Sequence, residues 1–403
     1  MKIPRQSAIW ATAAAVSLGA LGLVVQRQHR EVQRRVAVQV ATKPLNGSAI
    51  FRNKGCANCH GQSGGGTSLG PSLRNTRSLT SLPRLVTTVW NHAPRMWEAM
   101  SAQRQPYPTL SYEEISQLVT YLYISGYADS DGDVQRGQRL FHERKCDECH
   151  MPEDTHGGNA PSLRAISDAN DPLSWTQALW NHAPAMHLKM RSSRMSWPKF
   201  QASDMRDLFA YVQHLRDTPD DPPDISGDPD RGWELFQQKG CIHCHTAWLQ
   251  SDTGPNFGVE GQLPPTFSEF GASMLNHLPS METAMESQKA QFPRFENHDV
   301  ADLAVFLYSL HYIEPTGSLQ VGKSVFTWRG CSQCHGNEGE GSSSGPALRG
   351  RGHPYTAVRL ASALWSHGGR MYQSTQKRDQ AWPTLQDSDI GHLLTFLNTS
   401  PEQ

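Results

Sequence analysis

Four copies of one short pattern, two cysteines separated by two residues and followed by a histidine, are spread along the chain. Thiols at this spacing can bond covalently to the edge of a porphyrin, while the adjacent histidine supplies a nitrogen to its iron. The motifs use all 8 cysteines, so we predict four covalently bound haem c groups with iron. The predicted cofactor-binding cysteines are Cys56, Cys59, Cys146, Cys149, Cys241, Cys244, Cys331 and Cys334, and the predicted proximal iron ligands are His60, His150, His245 and His335.

A single Cys-x-x-Cys pair is also typical of zinc half-sites and of thioredoxin-like redox pairs. Both alternatives lose weight here because the pair recurs four times, each time with its histidine and with no cysteine left over. The first cysteines lie 90, 95 and 90 residues apart, which divides the 403 residues into four similar units. Units of this size bury little protein core, and a haem supplies the missing apolar surface. The formal net charge of -1 gives no indication of nucleic-acid binding.

An uncharged stretch of 18 residues, positions 8–25, lies near the start of the chain and follows Lys2 and Arg5. A helix of this length spans about 27 Å, close to the hydrocarbon thickness of a bilayer. We expect a retained anchor in the inner membrane, with the apolar part of a cleaved signal peptide as the alternative. Because c-type haem is attached outside the cytoplasmic membrane, the haem-binding units are expected in the periplasm, or exported if the segment is cleaved.

The repeats extend well beyond the cysteines. A glycine lies nine residues and a phenylalanine five residues before each first cysteine, so both share one face of a short helix. We expect the glycine to permit close approach of another helix. After each motif a loop rich in Gly and Ser ends in a proline, where a backbone carbonyl is placed to accept a hydrogen bond from the proximal histidine. These residues are Gly47, Gly137, Gly232 and Gly322; Phe51, Phe141, Phe236 and Phe326; and Pro71, Pro161, Pro255 and Pro346.

Each repeat then carries a second box with a histidine 32 residues and a methionine 36 residues beyond the proximal histidine. The residue two before the box histidine is tryptophan in three copies and leucine in the third, and we expect the tryptophan to pack on haem. An aromatic-proline pair and a final apolar helix with acidic residues near its start follow. The box histidines are His92, His182, His277 and His367, and the box methionines are Met96, Met186, Met281 and Met371.

The Gly-x-x-x-Phe helix, the proline loop and the final helix resemble class I cytochrome c, four times over residues 45–400. The resemblance implies an all-α fold in which an N-terminal helix crosses a C-terminal helix, with haem between a histidine and a methionine. We expect four tandem class I cytochrome c domains after an N-terminal transmembrane or signal-anchor helix. The expected boundaries are 1–45 for the anchor and stem, then 46–128, 129–218, 225–314 and 315–403. An acidic, proline-rich stretch at 217–224 suggests two dihaem halves, repeats one with two and three with four.

The sixth iron ligand has three candidates in this box. A second methionine, four residues after the first, is present as Met100, Met190 and Met285 but is replaced by Thr375 in the fourth copy. A ligand is needed four times, which argues against it. Between the remaining two, the class I resemblance favours Met96, Met186, Met281 and Met371, whereas bis-histidine ligation through the box histidines would lower the potential of the iron.

These features predict a membrane-anchored periplasmic tetrahaem cytochrome that passes electrons from a respiratory donor to an acceptor. A cytochrome subunit of a membrane dehydrogenase or respiratory complex is the alternative, and a haem peroxidase is a less favoured one. A peroxidase needs an iron with an open position, and the box methionine recurs at the same offset in all four repeats. We therefore expect an electron-transfer protein and no catalytic residues. The expected partners are redox proteins and the membrane.

Overall fold

Each of the four repeats contains three main helices, here called its N-terminal, middle and C-terminal helix. The computed structural model describes residues 47–74, 76, 79–151, 160, 162–166, 170–201, 203–216, 227–245, 254–257, 263–311, 315–350 and 354–399. The expected anchor at 8–25 and the linker at 217–224 lie outside these residues. In chain order the helices are Gly47–Asn53, Leu82–Ala102 and Tyr112–Ser125; Val134–Glu143, Pro172–Ser192 and Asp204–Leu215; Pro229–Gln238, Phe267–Ser287 and Asp299–Ser309; and Leu319–Trp328, Ala357–Lys377 and Asp387–Asn398.

The expected all-α fold is confirmed over the part of the chain that is described. An isolated bridge joins Ser342 and Gly345. Short helical turns, Ala57–His60 and Ser332–His335 among them, form at the cysteine motifs. Among the described helices, none is both long and apolar enough to cross a membrane.

In every repeat the N-terminal helix crosses the C-terminal helix at the predicted glycine and phenylalanine. In the third repeat, a Cβ added to Gly232 would collide with the backbone oxygen of Asp302 and with Phe306. Only glycine permits this approach. One turn later Phe236 packs on Phe306, with ring centroids 5.7 Å apart. The other repeats make the same contact, in the pairs Phe51 with Tyr121, Phe141 with Tyr211, and Phe326 with Phe396.

An ion pair joins the same two helices. A basic residue two positions before each first cysteine contacts a carboxylate at the start of the C-terminal helix. The same carboxylate accepts a hydrogen bond from a nearby backbone N–H. In the first repeat this acidic residue is Glu114. In the other three the aspartate is buried. The pairs are Lys54–Glu114 at 2.7 Å, Arg144–Asp204 at 3.0 Å, Lys239–Asp299 at 3.7 Å and Arg329–Asp389 at 2.8 Å.

The middle helices pack the repeats together in pairs, first with fourth and second with third. The contacts of each pair are reciprocal: each middle helix touches both the middle and the C-terminal helix of the other repeat. The pairing of consecutive repeats that the linker suggested is therefore wrong. The linker composition indicates only an extended spacer, whereas the pairing depends on matching side chains between repeats that are distant in sequence.

Tryptophan and asparagine side chains of the box make these contacts. The Trp180 indole N–H donates to the carbonyl of Pro293 at 2.9 Å, while the Asn181 side chain both donates to and accepts from the backbone of Phe295. Trp90 and Asn91 contact Pro383 and Leu385 of the fourth repeat in the same way. One motif thus forms both interfaces.

Prolines inside the middle helices strengthen this docking. Pro94 has no N–H, so the carbonyl of Trp90 lacks its helical partner. The Trp382 indole N–H of the fourth repeat donates to that carbonyl at 3.3 Å. Similarly, Pro279 releases the carbonyl of Leu275, which accepts from Trp197 of the second repeat at 2.8 Å. These helix defects thereby become binding sites for the neighbouring repeat.

We expect Arg329→Gln to destabilise the protein by about 3 kcal/mol, because it leaves the buried Asp389 carboxylate without its cation. Lys54→Gln is the matched control, since Glu114 is 32% exposed and an exposed pair contributes less than about 1 kcal/mol. Guanidinium unfolding of the full chain measures both changes. Equal shifts of the unfolding midpoint in the two variants would contradict this interpretation.

Asn276→Ala should weaken the docking of the third repeat on the second. It removes two hydrogen bonds to the backbone of Phe200, at 2.7 and 2.8 Å, and we expect a cost of about 1–3 kcal/mol. Hydrogen exchange at the Phe200 amide should become faster. Ser366→Ala is the control, because Ser366 holds the equivalent position and makes no hydrogen bond to the first repeat within the described residues. No change at the Phe200 amide would argue against the docking role.

Candidate haem sites

Each cysteine motif folds into a single tight turn that places both thiols and the histidine together. The backbone N–H of the histidine donates to the carbonyl of the first cysteine in all four copies, at 2.8–3.0 Å. The residue before the first cysteine has a positive φ, as in Gly240 at 78° and Lys145 at 60°. This backbone reversal brings the chain from the N-terminal helix into the motif.

The thiols are half-buried and no disulfide forms between them. Burial raises the pKa of the first thiol of each motif, in Cys56, Cys146, Cys241 and Cys331, to about 11. Among the residues that the structure describes, no group of three or more His, Cys, Asp or Glu side chains is placed to hold a metal ion, which argues against the zinc alternative.

The predicted hydrogen bond on the proximal histidine is confirmed in the three repeats whose proline is described. The Nδ1 atoms of His60, His245 and His335 lie 3.0, 3.4 and 2.9 Å from the carbonyl oxygens of Pro71, Pro255 and Pro346. Pro161, the equivalent in the second repeat, lies outside the described residues. A carbonyl accepts only from a protonated Nδ1, so Nε2 is left with the lone pair that iron needs.

A glycine before this proline makes the contact possible. A Cβ on Gly345 would lie 2.8 Å from the carbonyl oxygen of Cys334 and 3.1 Å from Nδ1 of His335. Gly70 and Gly254 fit equally closely against their histidines. The loop thus holds the imidazole in one orientation.

In each repeat the box histidine lies near the centre of the middle helix, well after the turn at which that helix begins. Its ring is near the proximal ring in the first three repeats. The ring centroids are 6.5 Å apart for His60 and His92, 6.0 Å for His150 and His182, and 6.1 Å for His245 and His277. In the fourth repeat, His367 holds the same helix position and its Nδ1 lies 3.5 Å from Arg370.

The box methionines lie four residues further on, so they share the histidine's face of the helix. Met186, Met281 and Met371 are half-buried and pack against the apolar core. The assignment of Met96, Met186, Met281 and Met371 as iron ligands stays a prediction.

The box tryptophan of the first repeat packs against the fourth repeat, and its expected packing on haem stays a prediction. Trp90 is 4% exposed and stacks on Trp382 of the fourth repeat, with centroids 4.2 Å apart. Because Trp90 and His92 are two residues apart, they point to nearly opposite sides of the helix. The middle helix thus presents one face to the proximal histidine and the other to the neighbouring repeat.

Comparison with protein families identifies three segments. A model described as "Cytochrome c" matches residues 134–216 and 319–401, and one described as "Cytochrome C oxidase, cbb3-type, subunit III" matches residues 42–122. The chain is a c-type cytochrome with repeated domains. No curated protein and no solved structure matches it. Cytochrome c domains imply covalently bound haem c and electron transfer.

The residues of this cytochrome fit that cofactor. Each motif offers two thiols and an imidazole whose second nitrogen is fixed by a carbonyl in three repeats. In the first three repeats the middle helix places the box histidine ring 6.0–6.5 Å from the proximal ring, centroid to centroid. Cys146, Cys241 and Cys331 pack against the apolar core, which extends towards the porphyrin edge that they would hold.

Two functional features were not predicted from the sequence. One is the docking role of the Trp-Asn pair, which is complete in the first two repeats and kept in part as Leu275-Asn276 and Trp365-Ser366 in the others. The other is the ion pair at the helix crossing, which has a fixed spacing of 60 residues between a basic and an acidic side chain. Both signals were visible as repeated spacings, but a spacing alone does not say which repeats are neighbours.

Gly345→Ala should raise the midpoint potential of the fourth haem relative to the others. The added Cβ would displace His335 from the Pro346 carbonyl, and an imidazole without this hydrogen bond is a weaker base and stabilises ferric iron less. A spectroelectrochemical titration measures the change. Gly65→Ala is the control, because a Cβ there meets nothing within 4 Å. Unchanged potentials in the Gly345 variant would contradict the role of this bond.

Proposed function

We propose that the protein is a periplasmic tetrahaem cytochrome that relays electrons between a respiratory donor and an acceptor. The observation that carries the proposal is the fourfold recurrence of one site: two thiols, a proximal histidine and a middle helix with donors for the opposite side of the iron. When bound, each haem supplies a one-electron Fe(III)/Fe(II) couple. The protein's own residues hold and orient it.

Closed iron sites distinguish a carrier from a catalyst. The middle helix of every repeat presents both a histidine and a methionine on one face, so each haem has a candidate sixth ligand. A haem peroxidase needs one iron without such a ligand. None of the four middle helices lacks the pair, which supports electron transfer over catalysis.

The apolar stretch at 8–25 supports anchoring in the inner membrane, and attachment of c-type haem supports the periplasm as the compartment. A cytochrome subunit of a membrane dehydrogenase or respiratory complex has the same chemistry. Copurification of stoichiometric partner subunits from solubilised membranes would favour that alternative over a free-standing carrier.

Purified protein should contain four haems per chain, all of which titrate reversibly, and the reduced form should not take up carbon monoxide. The reason is that each iron has two axial ligands from the chain. Haem content by alkaline pyridine spectra and optical titration with carbon monoxide measure both properties. Fewer than four haems would contradict the tetrahaem assignment, and ready carbon monoxide uptake by one of four would favour a catalytic haem.

A further inference from the structure

The spacing of the two histidine rings is a recurrent feature of this chain. In three repeats the ring centroids lie between 6.0 and 6.5 Å apart. The two rings of each pair come from different elements, the cysteine motif and the middle helix, and the three middle helices have different neighbours. The same separation in each case indicates a constraint that the repeats share.

That separation is the one required by two imidazoles on a single metal ion. Two metal–nitrogen bonds of about 2.0 Å and about 1.1 Å from each nitrogen to its ring centre place the centroids about 6.2 Å apart. Direct packing of two imidazoles would allow them to approach more closely. The observed separation therefore leaves room for one iron between the rings.

The nitrogens of these rings are available for such bonds. The Pro71 and Pro255 carbonyls engage Nδ1 of His60 and His245, which leaves Nε2 for iron. In the described part of the chain, His92, His182 and His277 make no hydrogen bond to another residue. His92 and His182 are half-buried and His277 is exposed, and buried polar side-chain atoms normally have a hydrogen-bond partner. These three have instead a second imidazole as their nearest aromatic neighbour.

The methionines have another role in this structure. Met186 and Met281 pack against the apolar core, and filling gaps in a core is a usual role of methionine. They lie one turn beyond the histidine, on the same helix face. The methionine assignment rests on resemblance to class I cytochromes, whereas the histidine assignment rests on the ring separations in this structure.

We propose that His92, His182 and His277 are the sixth iron ligands of the first three haems, opposite His60, His150 and His245. The proposal rests on the proposed function, because it requires haem at these motifs. Bis-histidine ligation closes the iron and removes the methionine that raises potentials in cytochromes c. Three of the four haems would accordingly operate at lower potential than histidine–methionine haems.

Near-infrared magnetic circular dichroism of the oxidised wild-type protein tests this directly, because methionine–iron and bis-histidine haems have distinct charge-transfer bands. We expect bis-histidine bands from at least three of four haems. A methionine band that accounts for more than one haem overturns the proposal. The haem content of the same sample keeps the two claims apart: missing haem refutes the proposed function, and four haems with methionine bands refute only the ligand assignment.

Matched variants locate the ligand in one repeat. His92→Gln should open one iron, so that the reduced protein binds carbon monoxide at about one haem in four, while Met96→Leu should bind none. The opposite result, uptake by Met96→Leu and none by His92→Gln, overturns the proposal. If His92→Gln does not accumulate, the magnetic spectrum of Met96→Leu decides: an unchanged spectrum supports histidine, and loss of a methionine band overturns it.

Discussion

One constraint governs this protein: each repeat is too small to bury its own apolar surface, so one helix must serve two partners. The middle helix is 21 residues long in every repeat. It turns a tryptophan or leucine towards another repeat and, in the first three repeats, a histidine towards the proximal imidazole. Because the two side chains are two positions apart, the 3.6-residue period of the helix separates them onto opposite faces. Haem binding and assembly of the repeats therefore depend on the same short box.

The remaining structure holds this helix and the cysteine motif in a fixed relation. The glycine and phenylalanine crossing joins the N-terminal and C-terminal helices, and a basic side chain next to the motif contacts a carboxylate at the start of the C-terminal helix. In the second, third and fourth repeats that carboxylate is buried, so its cation is needed for stability. The result is a rigid frame around the thiols, with the proline carbonyl orienting the proximal ring from the other side.

The pairing of the repeats gives the assembly an approximate twofold arrangement in each half. In the pair of the first and fourth repeats, the Trp97 ring packs directly against the backbone at Gly368. A Cβ at this position would lie 2.6 Å from the ring. The third repeat has Leu275 where the others have tryptophan. The backbone carbonyl of Leu275 accepts a hydrogen bond from the Trp197 indole N–H of the second repeat. Local departures from the repeat thus have partners in the neighbouring repeat.

Much of this fold was predictable because it is local and repeated. Spacings within one repeat predicted the helices and the helix crossing at Gly47 and Phe51. They also predicted the backbone carbonyl that accepts a hydrogen bond from the proximal histidine. The pairing of first with fourth repeats did not, since the complementary residues, such as Asn91 and Leu385, are distant in sequence and each has equivalents in other repeats. The contact of Trp90 with the fourth repeat was not predicted for the same reason: a buried tryptophan has several possible neighbours, and only the assembled chain selects one.

The central claim is that the middle helix supplies a nitrogen ligand to the iron. Iron X-ray absorption of the oxidised, haem-loaded chain counts the sulfur and nitrogen neighbours of the metal. We predict nitrogen neighbours alone for at least three of four irons, hence at most one sulfur per four irons. One sulfur per iron would contradict the account and assign the ligand role to Met96, Met186, Met281 and Met371.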